Sequence, residues 1–312
     1  MQAQRIEASC ACTAFRAIAT LAVFCLALAA LPATAQTIDR VKAAGHINLG
    51  YLADARPFTA RGAGGAPEGY AATLCQQVVD RLKTRLGSAQ LTVQWVPVTM
   101  DNRLREVQQG NVDLLCTPTS VTLARRQEVS FSIPVFAGGN RAVLRADAPQ
   151  ALRDALSYSA SPHPVWRGSP AAKVIEKTKF AVVTGTTTAT WLEGRRTFLQ
   201  VDAAVVPVPD YRTGLQKLQA GEVDAFFGER SLVLGAMDDA ARKNLAVLGR
   251  LFTRESGALA LAKGDDDFRA LVDAALSDIY PRSAFRDLYT QWFGAFDEDA
   301  RTFFEWNALP AQ

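Results

Sequence analysis

Two stretches of the chain repeat one another. "RLREVQQGNVDLLC" (Arg103 to Cys116) and "GLQKLQAGEVDAFF" (Gly214 to Phe227) match at a constant offset through Leu104/Leu215, Gln108/Gln219, Gly110/Gly221, Val112/Val223 and Asp113/Asp224. Each reads as a helix stopped by glycine, then a tight turn, then a buried strand. Glycine is favoured after any helix, so a short match can arise from that rule alone. Two copies set about a domain's length apart nevertheless predict two similarly built α/β lobes.

The rest of the chain keeps this rhythm. "HINLGYL" (His46 to Leu52), "LTVQWVPV" (Leu91 to Val98), "VDLLC" (Val112 to Cys116), "FAVVTG" (Phe180 to Gly185) and "AAVVPV" (Ala203 to Val208) are short runs rich in β-branched residues and read as strands. Between the first two, Leu74, Val78, Val79, Leu82 and Leu86 recur at helical spacing over Ala72 to Leu86, and Gly87 stands where such a helix would stop. Strand, helix, strand in alternation means α/β layers. A chain of 312 residues, 49% hydrophobic and 21% charged, can bury one large core or two modest ones. A net charge of +3 with scattered arginines is no footprint for nucleic acid.

The N-terminus carries an address. Arg5 and Arg16 precede the apolar run Ala17 to Leu31, and the small-residue site "ATA" follows at Ala33 to Ala35. This pattern predicts a cleavable secretory signal over residues 1–35 and a mature chain starting at Gln36. The run is shorter than the ~20 residues a spanning helix needs. Cys25 follows Val23 and Phe24, without the small residues that lipid attachment requires before its cysteine. The mature chain is therefore expected to be soluble and exported.

Cleavage removes Cys10, Cys12 and Cys25 and leaves Cys75 and Cys116. An even count in an exported protein predicts one disulfide, and two buried free thiols are the alternative. Closing a loop of about forty residues would add up to ~4 kcal/mol on the chain-entropy argument.

In open α/β sheets ligands bind beyond the carboxyl ends of strands. The stretch "TPTSVTLARRQEVSFS" (Thr117 to Ser132), dense in hydroxyls and holding two adjacent arginines, follows the strand expected to end at Cys116. In the second lobe "GER" (Gly228 to Arg230) follows the matching strand, and "GTTTAT" (Gly185 to Thr190) follows another strand and opens a helix. Hydroxyls, helix N-termini and charges from both lobes are thus aimed at a common cleft, chemistry that suits a carboxylate.

Across nearly the whole mature chain, through "IDRVKAAGHINLGY", "RPF", "GYAATLC", "VPVTMDNRL", "GNVDLLC", "SVTLARRQEVSFSIPVF", "VVTGTTT", "GEVDAFFGER" and "LYTQWFG", the sequence resembles the periplasmic solute-binding proteins of polar amino acid ABC transporters, and among them the glutamate/aspartate-binding branch. The resemblance implies a type II periplasmic binding protein fold of α/β class: two lobes joined by two crossing hinge strands, with a ligand cleft between them. Lobe one would take residues 36–137 and 258–312 and lobe two residues 138–257, with crossings near Pro134 to Asn140 and near Ser256 to Ala260. The implied partners are a polar amino acid and a membrane permease, in the periplasm, with the protein a monomer and no cofactor. Closure on the ligand would produce the form that the permease recognises.

The resemblance also assigns residues. Arg125 would grip the ligand α-carboxylate bidentately, leaving Arg126 in solvent, and a salt bridge within its own helix is the alternative role for Arg125. Ser120 would offer hydroxyl and amide, and Pro118 a backbone carbonyl for the α-amino group. Gly185, Thr186 and Thr187 would supply donors from a helix start, where an N-cap alone is the plainer reading. Glu229, in place of the family's usual aspartate, would accept from the ammonium. Arg103 matches a position that holds a side-chain carboxylate. Leu52 and Tyr211 stand where the glutamate/aspartate branch has a basic residue and a histidine, so an acidic ligand would lose two partners. Asp54 and Asp210 would favour a neutral or cationic side chain.

Two other classes share this fold. An exported dehydratase-like enzyme acting on a small acid would need an acid or base in the cleft. His46 and His163 are the only histidines, both expected away from the cleft, which leaves Glu229 as the candidate. A ligand-sensing module for a membrane receptor would use the same residues as a transport protein. No cysteine and histidine spacing suits a metal. The polar stretch from Ser157 to Pro170 reads as a surface loop of lobe two.

Overall fold

A computed structural model describes residues 37–157 and 169–310. The leader 1–35, Gln36, His163 and nearly all of the 157–170 loop lie outside the described residues. The chain enters through α1 (Thr37–Ala44) and β1 (His46–Leu52), then a small ribbon of β2 (Asp54–Ala55), β3 (Thr59–Arg61) and β4 (Pro67–Glu68). There follow α2 (Tyr70–Leu86), β5 (Thr92–Val98), α3 (Arg103–Gln108), β6 (Leu114–Ser120), a 3-10 turn at Arg125–Gln127, and β7 (Ser130–Gly138). The second half runs through β8 (Asn140–Arg145), α4 (Gln150–Ser157), α5 (Pro170–Ile175), β9 (Lys179–Val183), α6 (Thr187–Leu199) and β10 (Ala204–Val208). It continues through α7 (Tyr211–Gln219), β11 (Ala225–Glu229), α8 (Arg230–Ala236), α9 (Asp239–Asn244) and β12 (Leu245–Val247). The chain returns as β13 (Glu255–Leu261) and ends in α10 (Asp266–Ile279), α11 (Ser283–Phe293) and α12 (Glu298–Asn307).

The strands form two sheets built alike, in the orders β5-β1-β6-β13-β7 and β10-β9-β11-β8-β12. In each, three parallel strands are followed by one antiparallel to them, β13 in the first and β8 in the second. Each sheet has its own core. In lobe one Ile47 and Leu49 of β1 pack with Leu74, Val78, Val79 and Leu82 of α2, all essentially inaccessible. Burying each such side chain contributes about 1.5–3 kcal/mol, an upper bound because the unfolded chain already buries part of it. Phe268, Phe285 and Phe304 bring the three C-terminal helices onto this same core. Helix α2 ends at Gly87, whose left-handed backbone lets its N–H reach back to the carbonyls of Lys83 and Thr84.

The repeated block has the same hydrogen bonds in both lobes. Gly110 and Gly221 stop α3 and α7 at φ of 74° and 72°, and their N–H groups bond the carbonyls of Val107 and Leu218. Asp113 then accepts from the N–H of Asn48 at 2.7 Å, and Asp224 accepts from that of Lys179 at 2.8 Å. The backbone N–H of each aspartate donates to the carbonyl of that same partner residue. The glycine rule explains the turn, and these paired bonds explain the aspartate: it clamps the incoming strand to its neighbour.

Two expectations change and a third is met. The strand expected to end at Cys116 runs on to Ser120, because β13 pairs with it through Gly257–Ser120 and Ala258–Thr119. Pro118 fits there because the register shifts at that point, where no ladder N–H is required. The chain first passes from one sheet to the other between β7 and β8. The return crossing falls ahead of Ser256 to Ala260, between Val247 and Glu255, because all of β13 is held between β6 and β7. The two remaining cysteines are joined: Cys75 of α2 and Cys116 of β6 form a disulfide with Cα atoms 6.0 Å apart, not free thiols. No helix of the described residues is long and apolar enough to cross a membrane.

Candidate functional site

Between the lobes, at the carboxyl ends of β1, β6 and β11, lies a cavity of about 70 Å³, room for several waters or one small molecule. From lobe one it is walled by Leu52, Phe58, Arg103, Pro118, Ser120 and Arg125, and from lobe two by Thr186, Thr187, Tyr211, Glu229 and Leu232. Asn140 and Glu255, which begin the strands on the far side of each crossing, complete it.

Two guanidinium groups dominate one side. Arg125 donates through Nη1 to the carbonyl of Ser120 at 2.9 Å and through Nη2 to that of Gly185 at 3.2 Å. Arg103, only 5% exposed, donates through Nη2 to the same Gly185 carbonyl at 3.2 Å. Burial, and then the neighbouring charge of Arg125, lowers the Arg103 pKa to about 10, so it stays a cation at neutral pH. The Arg125 pKa is lowered by burial, against the opposing pull of Glu255 and Glu128. Two like charges held side by side on one shared carbonyl form a strong anion site. Arg126 is exposed, and Arg125 makes its contacts outside its own turn.

Carboxylates dominate the other side. Glu229 caps α8, its Oε2 accepting from the N–H of Leu232 at 2.9 Å. Burial holds its carboxyl above the usual range, opposed by backbone donors at Leu232 and Ser231 and by Arg230. Tyr211, also buried, has its pKa raised, first by burial and then by Glu229. Glu255 accepts from Thr187 Oγ1 at 2.7 Å, from Asn140 Nδ2 at 3.0 Å and from Thr253 Oγ1 at 3.0 Å. Thr188 Oγ1 in turn donates to Asn140 Oδ1 at 2.7 Å. A cation site therefore faces the anion site within one enclosure.

Arg125, Ser120, Pro118, Thr186, Thr187, Glu229, Arg103, Leu52 and Tyr211 all lie in the cavity wall. Gly185 does not line it: its carbonyl, rather than its amide, meets the two arginines. Thr186 caps α6 through the N–H of Ala189, and its hydroxyl donates to the Val183 carbonyl. Asp54 is exposed on β2 and paired with Arg212 across the lobes, and Asp210 caps α7 at the N–H of Thr213. Both were expected to bias the pocket, and both are instead held outside it by those partners. His46 starts β1 at the end opposite Leu52, about 20 Å away for a strand of this length. Among the described residues no group of three His, Cys, Asp or Glu side chains is placed to hold a metal.

Glu255 and Asn140 escaped the sequence reading. A single glutamate ahead of "SGALAL" carries no pattern, and only an earlier placement of the return crossing would have brought it to the cleft.

Residues 47–295 match the profile of the bacterial extracellular solute-binding proteins, family 3. An L-glutamate/L-aspartate-binding protein of Pseudomonas aeruginosa is 28% identical over 260 residues, which span 82% of this chain and 80% of that protein. An L-cystine-binding protein of Escherichia coli is 25% identical over 260 residues, 83% of this chain and 86% of its own. Among solved structures, an ancestral arginine-binding protein with arginine bound aligns with a TM-score of 0.66 at 20% identity, covering 80% of this chain and 99% of the other. An ancestral amino acid-binding protein, a precursor of cyclohexadienyl dehydratase, aligns with a TM-score of 0.63 at 23% identity over 83% of this chain and 100% of the other. At these identities the structural likeness is one of fold. With the profile spanning most of its length, the chain belongs to the bacterial extracellular solute-binding proteins, family 3.

Proposed function

We propose that this protein captures a polar amino acid between its lobes in the periplasm, reached through the leader 1–35, and delivers it as a monomer to an ABC transporter permease. The observation that carries this reading is the pairing of an anion site, Arg125 with Arg103, and a cation site, Glu229 with Glu255, in one inter-lobe cavity. A zwitterion presents the same two charges on one carbon. Arg125 takes the α-carboxylate, with Ser120 and Thr187 as hydroxyl partners. The ammonium goes to Glu229 and the Pro118 carbonyl. Leu52, Phe58 and Tyr211 shape the side-chain end, and Arg103 holds a polar group there. Closure brings Thr187 and Glu229 onto a ligand already docked on lobe one, and the closed form is what the permease reads.

The test is a thermal-shift screen of refolded, ligand-stripped protein against the amino acids, with glutamate, aspartate, cystine and glutamine first because relatives are named for them. A ligand at a hundred times its dissociation constant adds ~2.7 kcal/mol of stability. A shift with a polar amino acid supports the reading, and no shift with any of them rejects it. The raised pKa of Glu229 is what an exported enzyme acting on a small acid would need of a cleft carboxyl. Chemical analysis of each ligand afterwards separates the two, since capture returns it unchanged.

A further inference from the structure

A second, larger groove opens between the lobes. Its volume is about 660 Å³, and Phe136, Gly138, Gly139 and Glu229 form the wall it shares with the smaller cavity. Its charged lining is one-sided: Arg56 comes from lobe one, and Arg141, Arg230 and Arg242 from lobe two. The one carboxylate in this lining, Glu229, stands on the wall shared with the smaller cavity and accepts from the N–H of Leu232. Of the four arginines only Arg56 has a carboxylate partner among the described residues, Glu68, which lies outside the groove. Arg141 reaches the backbone carbonyls of Leu248 and Gly249, and Arg242 that of Leu234. The Nε of Arg141 and the Nε1 of Trp292, both on lining residues, are buried donors without an acceptor in the protein.

Like charges gathered in a concave site between low-dielectric walls focus a positive potential. That potential calls for an anion. The groove is too large to be filled by a lone halide, and Trp292 and Tyr289 offer an aromatic wall for a carbon skeleton. We infer that this groove is a second ligand site, for a small organic polyanion carrying two or more carboxylate or phosphate groups. Such an anion bridges guanidinium groups of opposite lobes and holds the closed arrangement.

Citrate and pyrophosphate, titrated calorimetrically in parallel into the ligand-stripped mature protein at low ionic strength, test this and separate carboxylate from phosphate recognition. Saturable one-to-one binding of either is expected. The double variant Arg230→Ala/Arg242→Ala should weaken it at least tenfold, while Arg125→Ala leaves it unchanged. Arg56→Ala supplies an independent loss from lobe one if the double variant does not fold. Added salt should weaken it too, since exposed charges are screened. Absence of binding by both anions, binding that the groove variants leave intact, or loss with Arg125→Ala would overturn the inference, the last by placing the anion in the amino-acid cavity.

Discussion

The role proposed for Glu229 makes ligand binding a proton-linked event. Burial keeps its carboxyl pKa above the usual range in the ligand-free protein, and an ammonium set against it draws that value back down. Between the two values the free protein holds a proton that the complex does not. Binding then releases a proton, and affinity rises with pH through that window. Calorimetry just above the ordinary carboxyl range, in buffers of different ionisation enthalpy, should show proton release, and a buffer-independent enthalpy would contradict it. Replacing Glu229 with Gln should remove the dependence and weaken binding roughly tenfold or more, as loss of a buried charge pair does. Much of this wall was legible in the sequence because its residues sit in patterned stretches, the threonine run at a helix start and the hydroxyl-rich stretch ahead of Arg125. Asp54 and Asp210 misled because sequence proximity to a cleft does not say whether a carboxylate is taken by an arginine or a helix end.

At the level of elements, the repeat is a clamp that each lobe uses once. Asp224 holds β11 to β9 through the N–H of Lys179. Asp113 holds β6 to β1 and is also ion-paired with Arg40. Replacing Asp224 with Ala should cost about 0.5–1.5 kcal/mol, the net worth of an ordinary hydrogen bond, since this one is exposed. Asp113→Ala should cost more, because it also strands the half-buried Arg40. Urea denaturation of both variants checks the order, and equal losses would mean that the ion pair adds nothing. The disulfide ties the same β6 to α2 across 41 residues, and reducing it should cost up to ~4 kcal/mol. The strands and α2 could be read from periodicity. The extension of β6 to Ser120 could not, since it depends on β13, which arrives more than a hundred residues later.

For the molecule as a whole, one of the contacts between the lobes is a close backbone approach. A Cβ at Gly235 of α8 would lie 2.0 Å from the carbonyl oxygen of Arg56 in lobe one, a backbone atom with little room to yield. Gly235→Ala suits a helix better but should prop the lobes apart. Its ligand-induced contraction in small-angle scattering should be smaller than wild type, with affinity lowered at least tenfold. Full contraction would show that the lobes close without this contact. The two-lobe plan was visible in the repeat, whereas this contact was not, because it joins residues that no local pattern connects.

The most direct measurement is a calorimetric titration of the best amino acid from the screen into wild type, Arg125→Ala and Arg126→Ala. Capture of the α-carboxylate by Arg125 predicts a loss of about 2–5 kcal/mol for Arg125→Ala, which leaves a buried carboxylate unpaired, and almost none for the exposed Arg126→Ala. A loss of under threefold for Arg125→Ala would contradict the account.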